Sequence, residues 1–242
     1  MIKRKYRILA SDSGFDRKLR FSSFLRMVEE ISIADVIRGG LPKERTLEKG
    51  LLWVISRMSF RFKKIPQYDD EVALETYALP RMRLFFPRYY VMRDINGSKL
   101  AEGEAMWCLI DEKTRKPIVP SLFGISIHKV TLPPDVEVHL DSLFLPRIKT
   151  VTSTMERKVL SSELDLNGHL TNTRYADWYY DAHSREFWEK HEISSFRIAF
   201  EREVHSEDTI KITFDFSDPK EEIIEGHTKE GRAFVLVVGF RQ

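Results

Sequence analysis

The sequence predicts an α+β fold of two similar units in tandem, each an antiparallel sheet wrapped around one long helix. Two observations lead to this prediction. Both halves run in the order strand, polar loop, helix and several strands, and a proline-rich stretch separates them. The 242 residues suffice for one large domain or two small ones. We expect an N-terminal unit at residues 1–129, a linker at 130–148 and a C-terminal unit at 149–242.

The N-terminal half contains one clear helix pattern followed by strand patterns. A strand is predicted at residues 5–9, and Phe24, Val28 and Ile31 then mark one apolar face of a helix that a glycine pair at 39–40 ends. An Asn-Gly pair between the last two strand patterns is typical of a tight hairpin turn. The predicted strands are 51–62, 71–78, 85–93 and 100–111.

The C-terminal half repeats this order. A strand is predicted at residues 150–160, and Tyr175, Trp178 and Tyr179 share one apolar face of a helix at 172–190. One helix and one antiparallel sheet cannot bury both sheet faces well, whereas two such units side by side can share a core. The remaining predicted strands are 196–204, 209–216, 221–228 and 232–240.

Composition and charge argue against several classes of protein. The net charge is +2, from 39 basic and 37 acidic residues, which gives no support to non-specific nucleic-acid binding. The chain has no long apolar run and no apolar segment after its basic start, so we expect neither a membrane span nor a secretion signal. Its single cysteine, Cys108, cannot form an intramolecular disulfide, which is compatible with a cytoplasmic protein.

The most informative segment is the polar loop before the second helix. Asp165, Asn167 and His169 occupy every second position, and Gly168 permits a tight bend. A carboxylate, an amide and an imidazole together can orient a substrate, activate water and carry a proton. A helix that begins near residues 171–172 would direct backbone N–H groups at the loop, where they stabilise developing negative charge.

A purely structural interpretation of this loop is also open. Asp165 and Asn167 could cap the helix while His169 satisfies a backbone carbonyl. Capping needs one side chain, however, and the loop also offers Thr171 and Asn172. This surplus of polar groups favours a functional site.

Three segments carry a more specific pattern. They are Asp-Leu-Asn-Gly-His-Leu-Thr-Asn-Thr-Arg-Tyr at 165–175 followed by Trp178, Leu-Trp-Val-Ile-Ser-Arg-Met at 52–58 with Ile-Pro at 65–66, and Phe-Glu-Arg-Glu-Val-His-Ser-Glu-Asp at 200–208. Together they resemble the acyl-acyl carrier protein thioesterases of the bacterial type, over nearly the whole chain. The resemblance implies a tandem (double) hotdog fold. It also implies hydrolysis of the thioester between a fatty acyl chain and the phosphopantetheine of acyl carrier protein, which releases the free fatty acid and ends chain elongation.

The same resemblance implies the catalytic residues. Asp165, Asn167 and His169 carry over directly, and the further active-site acid carries over to Glu203. Plant members often have a cysteine beside that acid, where this chain has Val204. A thiol nucleophile is therefore disfavoured, and attack by water is favoured.

Each polar group then has a predicted role in thioester hydrolysis. Glu203 and His169 position and deprotonate the water, and the Asn167 amide holds the carbonyl oxygen or the water. Asp165 orients the loop and tunes His169. Backbone N–H groups near Asn172 receive the oxyanion.

The third segment offers a second carboxylate. On a regular strand at 196–204, Glu201 shares a face with Glu203 and is therefore its rival. The alternative is that Glu201 is a solvated strand residue.

The first half lacks this polar constellation. None of the seven histidines precedes residue 128, so we expect the first half to shape an acyl pocket instead. A fatty chain needs a long apolar slot, although the same side chains could be ordinary core residues. No cofactor and no metal are expected, because the chain has no glycine-rich phosphate loop and no zinc-site spacing. The predicted substrate-binding residues are Phe24, Met27, Trp53 and Met58 for the acyl chain and Asn172 at the thioester end.

The resemblance implies acyl carrier protein as the partner. Such a carrier is acidic, so a basic patch should meet it. A thioesterase acting on acyl-coenzyme A and a non-catalytic hotdog protein that binds an acyl thioester stay open as alternatives. A tandem chain supplies its own pseudo-dimer, so monomer and homodimer are both compatible with the sequence. The candidate patches are Lys63, Lys64, Arg81, Arg83 and Arg88, or Arg147, Lys149 and Arg174.

Overall fold

The computed structural model describes residues 1–40, 43–123 and 131–241. The first half contains β1 (Ile2–Arg7), α1 (Phe21–Arg38), α2 (Lys43–Leu47), β2 (Leu51–Phe62), β3 (Glu71–Ala78), β4 (Phe85–Asp94) and β5 (Lys99–Asp111). The second half contains β6 (Ser153–Lys158), α3 (Arg174–Asp181), α4 (Arg185–Lys190), β7 (Ile193–Phe200), β8 (Thr209–Asp218), β9 (Glu221–Thr228) and β10 (Gly231–Phe240). The sequence placed β2, β3 and β9 at their observed bounds and the other strands within a few residues.

These strands form one ten-stranded sheet in the order β1-β3-β4-β5-β2-β7-β10-β9-β8-β6. From the centre outward, the first half runs β2, β5, β4, β3, β1 and the second half runs β7, β10, β9, β8, β6, so the two halves have the same topology. The halves join through antiparallel pairing of β2 with β7, which sets Arg57 opposite Ala199 and Arg61 opposite Ser195. The predicted tandem α+β architecture is confirmed.

One continuous apolar core spans both halves. Phe24, Met27 and Ile31 of α1 belong to the same cluster as Tyr175 and Trp178 of α3, and each is 3% exposed or less. Burial of one such side chain contributes about 1.5–3 kcal/mol relative to leaving it in water. The apolar faces of α1 and α3, which the sequence predicted, therefore pack in one shared core rather than in two separate cores.

The second helix differs from the prediction of a single helix at 172–190. The chain forms α3, leaves the helical path at 182–184 and begins again as α4. The hydroxyl of Ser184 accepts a hydrogen bond of 3.2 Å from the backbone N–H of Phe187 and so caps α4. The indole of Trp188 donates to the carbonyl of Tyr180 at 3.1 Å, which satisfies an acceptor at the end of α3. The apolar spacing continues across the break, which is why the sequence pattern indicated one helix.

Strand β7 also ends earlier than predicted, at Phe200 rather than at residue 204. The backbone N–H groups of Glu201 and Arg202 both donate to the carbonyl of Ala233, at 2.8 and 3.1 Å, so the chain leaves the regular ladder there. Glu203 consequently lies in the loop after β7. The prediction that Glu203 and Glu201 share one strand face was wrong for this reason.

Part of the predicted linker is packed against the first half. Leu132, Val136 and Val138 pack on a buried cluster that includes Tyr77 and Tyr89. The predicted boundary between 129 and 130 lies outside the described residues, and the domain limits stay predictions.

None of the helices in the described ranges is long and apolar enough to cross a membrane.

Candidate active site

The polar loop before α3 is folded around the carboxylate of Asp165. Its Oδ1 accepts the backbone N–H groups of Asn167 at 2.7 Å and His169 at 3.0 Å, and its Oδ2 accepts the Asn167 side-chain amide at 3.2 Å. Gly168 has a φ of 78°, a conformation that glycine adopts without strain. The polar side chains thus order this loop, rather than capping the helix, and fix the direction in which His169 projects.

His169 lies next to Glu203, on the neighbouring loop. Nε2 of His169 is 3.7 Å from Oε2 of Glu203, and the ring of His205 meets the His169 ring edge-on with 4.8 Å between centroids. The loops are tied together by the backbone N–H of Leu170, which donates to the carbonyl of Val204 at 2.7 Å. The structure therefore brings together the four predicted polar residues, three on one loop and one on the other.

The environment favours the neutral imidazole of His169. Burial is the largest effect and lowers the pKa of His169 below its usual 6.5. The charge of Asp165 acts in the opposite direction, while His205 and Arg115 lower the pKa further. At neutral pH the ring is therefore mainly uncharged and can accept a proton.

Arg115 is a site residue that sequence reasoning missed. Its guanidinium binds both oxygens of Glu203, with Nε 3.0 Å from Oε2 and Nη2 against Oε1. It follows a tight turn after β5 in which the Asp111 carboxylate accepts backbone N–H groups of Lys113 and Thr114, and its own φ is 56°. The local sequence marks a turn there but carries no signal that this arginine would reach a carboxylate 88 positions away.

A cavity of about 910 Å³ opens beside these polar groups. Trp53, Phe86 and Trp107 form an apolar part of its wall, and the rings of Trp53 and Phe86 meet edge-on at 5.0 Å. Ile33 and Ile37 of α1 also line it and are about half exposed. The volume is within the usual range for small-molecule sites, and the polar groups lie in one region of its lining.

The predicted pocket residues fall into two groups. Trp53 and Asn172 line the cavity. Phe24, Met27 and Met58 are not in its lining and belong to the shared core, where they are 2%, 1% and 0% exposed. The apolar spacing identified the face of α1 that packs on the sheet, whereas a neighbouring face of the same helix borders the cavity.

Asn172 brings in a second residue that sequence reasoning missed. Its Nδ2 donates to Oε1 of Glu29, on α1, at 3.0 Å. Burial raises the pKa of Glu29 to about 7, and the negative charges of Glu30 and Asp165 act in the same direction. In the sequence, Glu29 stands at the edge of an apolar helix stripe, where an acidic residue is ordinary.

The rival carboxylate is engaged elsewhere. Glu201 binds the guanidinium of Arg232 through both oxygens, at 2.9 and 2.6 Å.

Among the described residues, the ligand atoms of His169, Glu203 and His205 lie within 4.8 Å of one another and could hold a metal ion. A metal there would have to displace Arg115 from Glu203, so the arrangement favours an ion pair, and the expectation of no metal stays a prediction.

Two further predicted groups are placed by the structure. Arg88, one of the candidate docking residues, is 3% exposed and paired with Asp35, so it cannot meet a partner. Cys108 is buried and lines the cavity, and its burial raises the pKa of the thiol to about 11. A thiol in that state is a poor nucleophile at neutral pH.

Fold and site together define a class, the tandem hotdog proteins in which one polar centre borders a large apolar cavity. Comparison with known proteins narrows this class. The family model described as the acyl-ACP (acyl carrier protein) thioesterase N-terminal domain matches residues 1–120, and the one described as the C-terminal domain matches residues 148–233. The chain belongs to the acyl-ACP thioesterase family.

Curated relatives are distant in sequence. The chain is 25% identical over 224 residues to a chloroplastic palmitoyl-acyl carrier protein thioesterase of Cuphea hookeriana, an alignment that covers 87% of this chain and 54% of the relative. It is 20% identical over 223 residues to the chloroplastic oleoyl-acyl carrier protein thioesterase 2 of Arabidopsis thaliana, covering 86% and 61%. The chain therefore spans little more than half the length of these relatives.

Solved structures show the same fold. An acyl-ACP thioesterase from Bacteroides thetaiotaomicron VPI-5482 superimposes with a TM-score of 0.85 at 21% identity, over 99% of this chain and 97% of the other. The 12:0-ACP thioesterase from Umbellularia californica gives a TM-score of 0.83 at 17% identity, over 99% and 96%. At these identities the likeness establishes the tandem hotdog fold alone.

Proposed function

We propose that this protein hydrolyses the thioester of fatty acyl-ACP, releasing the free fatty acid and ending chain elongation in fatty acid biosynthesis. The observation that carries the proposal is the position of His169, 3.7 Å from Glu203 in the lining of the cavity, where burial lowers the pKa of its imidazole. The family to which the chain belongs supports the carrier protein as the partner. The balanced composition and single buried cysteine support a cytoplasmic location.

In the proposed reaction, water attacks the thioester carbonyl. His169 takes a proton from the water as the C–O bond forms, and it returns that proton to the sulfur as the C–S bond breaks. Glu203 is held as an anion by Arg115, so it stabilises the imidazolium instead of sharing the role of base. Asp165 fixes the loop, and the Asn167 amide holds the carbonyl oxygen or the water. Backbone N–H groups before α3 are the proposed donors to the oxyanion.

The acyl chain is proposed to lie along the cavity wall formed by Trp53, Phe86 and Trp107. These rings give an apolar surface that a methylene chain can contact, while the thioester stays near Asn172 and His169. Chain-length preference then depends on how far the chain reaches along this wall, at about 1–3 kcal/mol for each methylene gained or lost.

The test is hydrolysis of matched substrates. Acyl carrier proteins bearing chains of several lengths are incubated with the protein, next to coenzyme A carrying the same chains, and the released fatty acids are measured. We expect faster turnover on the carrier protein, and a loss of roughly a hundredfold or more in His169→Ala. Faster turnover on coenzyme A would favour the acyl-coenzyme A alternative. Tight binding of acyl-ACP without turnover would favour the non-catalytic one.

A further inference from the structure

The first half places a carboxyl group in the candidate site. Glu29 lies on α1, is half-buried, and lines the same cavity as Asp165, Asn167 and His169. Its Oε1 accepts the 3.0 Å hydrogen bond from Nδ2 of Asn172. The two residues are 143 positions apart, so this contact links the helix of the first half to the segment that leads into α3.

The charges around Glu29 are mainly negative. Glu30 follows it on α1, and Asp165 acts on it from the polar loop. Burial raises the pKa of Glu29 to about 7, these two charges add to the rise, and the bond from Asn172 opposes it. Two cations of the cavity are already engaged, Arg115 with Glu203 and Arg88 with Asp35. The other titratable or charged residues that line the cavity are Cys108, His169, Tyr175, Glu201, Arg202, Glu203, His205 and Glu230.

We propose that Glu29 is a positioning residue of the hydrolytic site, whose ionised carboxylate holds Asn172 at the thioester end of the cavity. The proposal rests on the proposed thioester hydrolysis. A charged acceptor makes a hydrogen bond roughly twice as strong as a neutral one, so the ionised form fixes the Asn172 amide more firmly. Protonation of Glu29 loosens Asn172 and weakens the binding of the reacting thioester.

Hydrolysis then depends on two ionisations. His169 must be neutral, which holds above its lowered pKa, and Glu29 must be ionised, which holds above a pH of about 7. The kcat/KM of the protein therefore rises as pH increases through neutrality. The variant Glu29→Gln keeps a side-chain oxygen that can accept the hydrogen bond from Asn172. Its amide group does not titrate.

The first experiment compares the pH profiles of kcat and KM on acyl-ACP. Glu29→Gln is expected to keep activity within roughly tenfold at alkaline pH and to lose the rise near neutrality, leaving only the limb that belongs to His169. Glu29→Ala, which leaves Asn172 without this acceptor, is expected to lower kcat/KM by roughly tenfold or more at every pH. The matched control is Glu44→Gln, an exposed residue on α2, which should keep the complete profile.

The second experiment follows the side-chain amide of Asn172 by ¹⁵N NMR and needs no activity. Its resonances should move with an apparent pKa of about 7 in the unaltered protein and stay fixed in Glu29→Gln. Glu30→Gln should shift this titration to lower pH, because one of the charges that raise the pKa of Glu29 is removed.

Three results would overturn the proposal: an Asn172 resonance that ignores pH, a titration that persists in Glu29→Gln, or an unchanged rise of kcat/KM in that variant. Absence of turnover on every acyl-ACP would reject the proposed function instead. The Asn172 titration would still show whether Glu29 holds Asn172.

Discussion

The ion pair between Arg115 and Glu203 sets the charge beside the proposed base. Both oxygens of Glu203 bind one planar guanidinium, a geometry that lysine cannot reproduce. The carboxylate therefore keeps its orientation and its charge 3.7 Å from Nε2 of His169. An anion at that distance stabilises the imidazolium that forms during proton transfer, as the carboxylate of a serine-protease triad does.

Arg115→Gln is expected to lower kcat by roughly tenfold or more, because Glu203 loses the group that orients it. The same change removes a cation that lowers the pKa of His169. The base must be neutral to act, so the limb of the kcat/KM profile that belongs to His169 should move to higher pH. The measurement is the pH profile on acyl-ACP, with Arg185→Gln, an exposed residue on α4, as the control. An unmoved limb would show that Arg115 does not act on His169.

Cys108→Ala is expected to leave hydrolysis within severalfold of the unaltered protein. Cys108 lines the cavity, but burial raises the pKa of its thiol to about 11, so almost no thiolate is present at neutral pH. The check is turnover of acyl-ACP by the folded variant. A loss beyond roughly a hundredfold would contradict attack by water.

At the scale of single elements, β2 serves both the cavity and the core. Its pairing with β5 shifts between Ile55 and Arg57, where one strand has a residue more than the other. Such a bulge resets the alternation of side chains along a strand, so Trp53, opposite Leu109, and Met58, opposite Ala105, lie on the same face of the sheet. Trp53, before the bulge, lines the cavity, while Met58, after it, is fully buried in the core.

Trp53→Ala and Met58→Ala should therefore have different effects. Trp53→Ala enlarges the cavity, so the preferred acyl chain should become longer while some turnover is retained. Met58→Ala leaves a void in the core and should lower the free energy of unfolding by about 2–5 kcal/mol without changing the preferred chain. Product profiles and denaturant unfolding measure the two effects. A changed chain preference in Met58→Ala, with unchanged stability, would show that Met58 contacts the substrate after all.

Over the described residues, the two halves are joined by one sheet and by one shared apolar core. Five residue pairs join β2 to β7 across the centre of the sheet, and the apolar core includes side chains of both halves. The geometry of the proposed site is shared in the same way, since Arg115 and Glu29 belong to the first half and their partners to the second. A unit taken alone would expose its part of the core and lose the contacts of Arg115 with Glu203 and of Asn172 with Glu29.

Thermal unfolding should therefore occur in a single transition for both halves, because neither half can lose its core while the other keeps its own. Differential scanning calorimetry on the intact chain provides the measurement. Tryptophan fluorescence of two variants, one that keeps only Trp53 and Trp107 and one that keeps only Trp178 and Trp188, reports on each half separately. Two resolved transitions, one for each reporter, would be inconsistent with a shared core.

The sequence by itself determined the secondary-structure elements, their repeated order and the polar loop. These are local properties: apolar spacing placed α1, β2, β3 and β9, and the Asp165 loop carries its three polar side chains within five positions. The local pattern was misleading at Ser184, where a helix cap separates α3 from α4, and at the end of β7, where the chain leaves the regular ladder.

Only the tertiary structure decided which charges meet and which apolar residues face the cavity. Arg115 reaches Glu203 across 88 positions and Asn172 reaches Glu29 across 143, and both contacts depend on how the two halves pack. Side-chain spacing within one strand or helix identifies a buried face but does not distinguish a packed core from a cavity wall. That distinction placed Trp53 at the site and Phe24, Met27 and Met58 in the core, because it is set by what lies opposite each face in the folded chain.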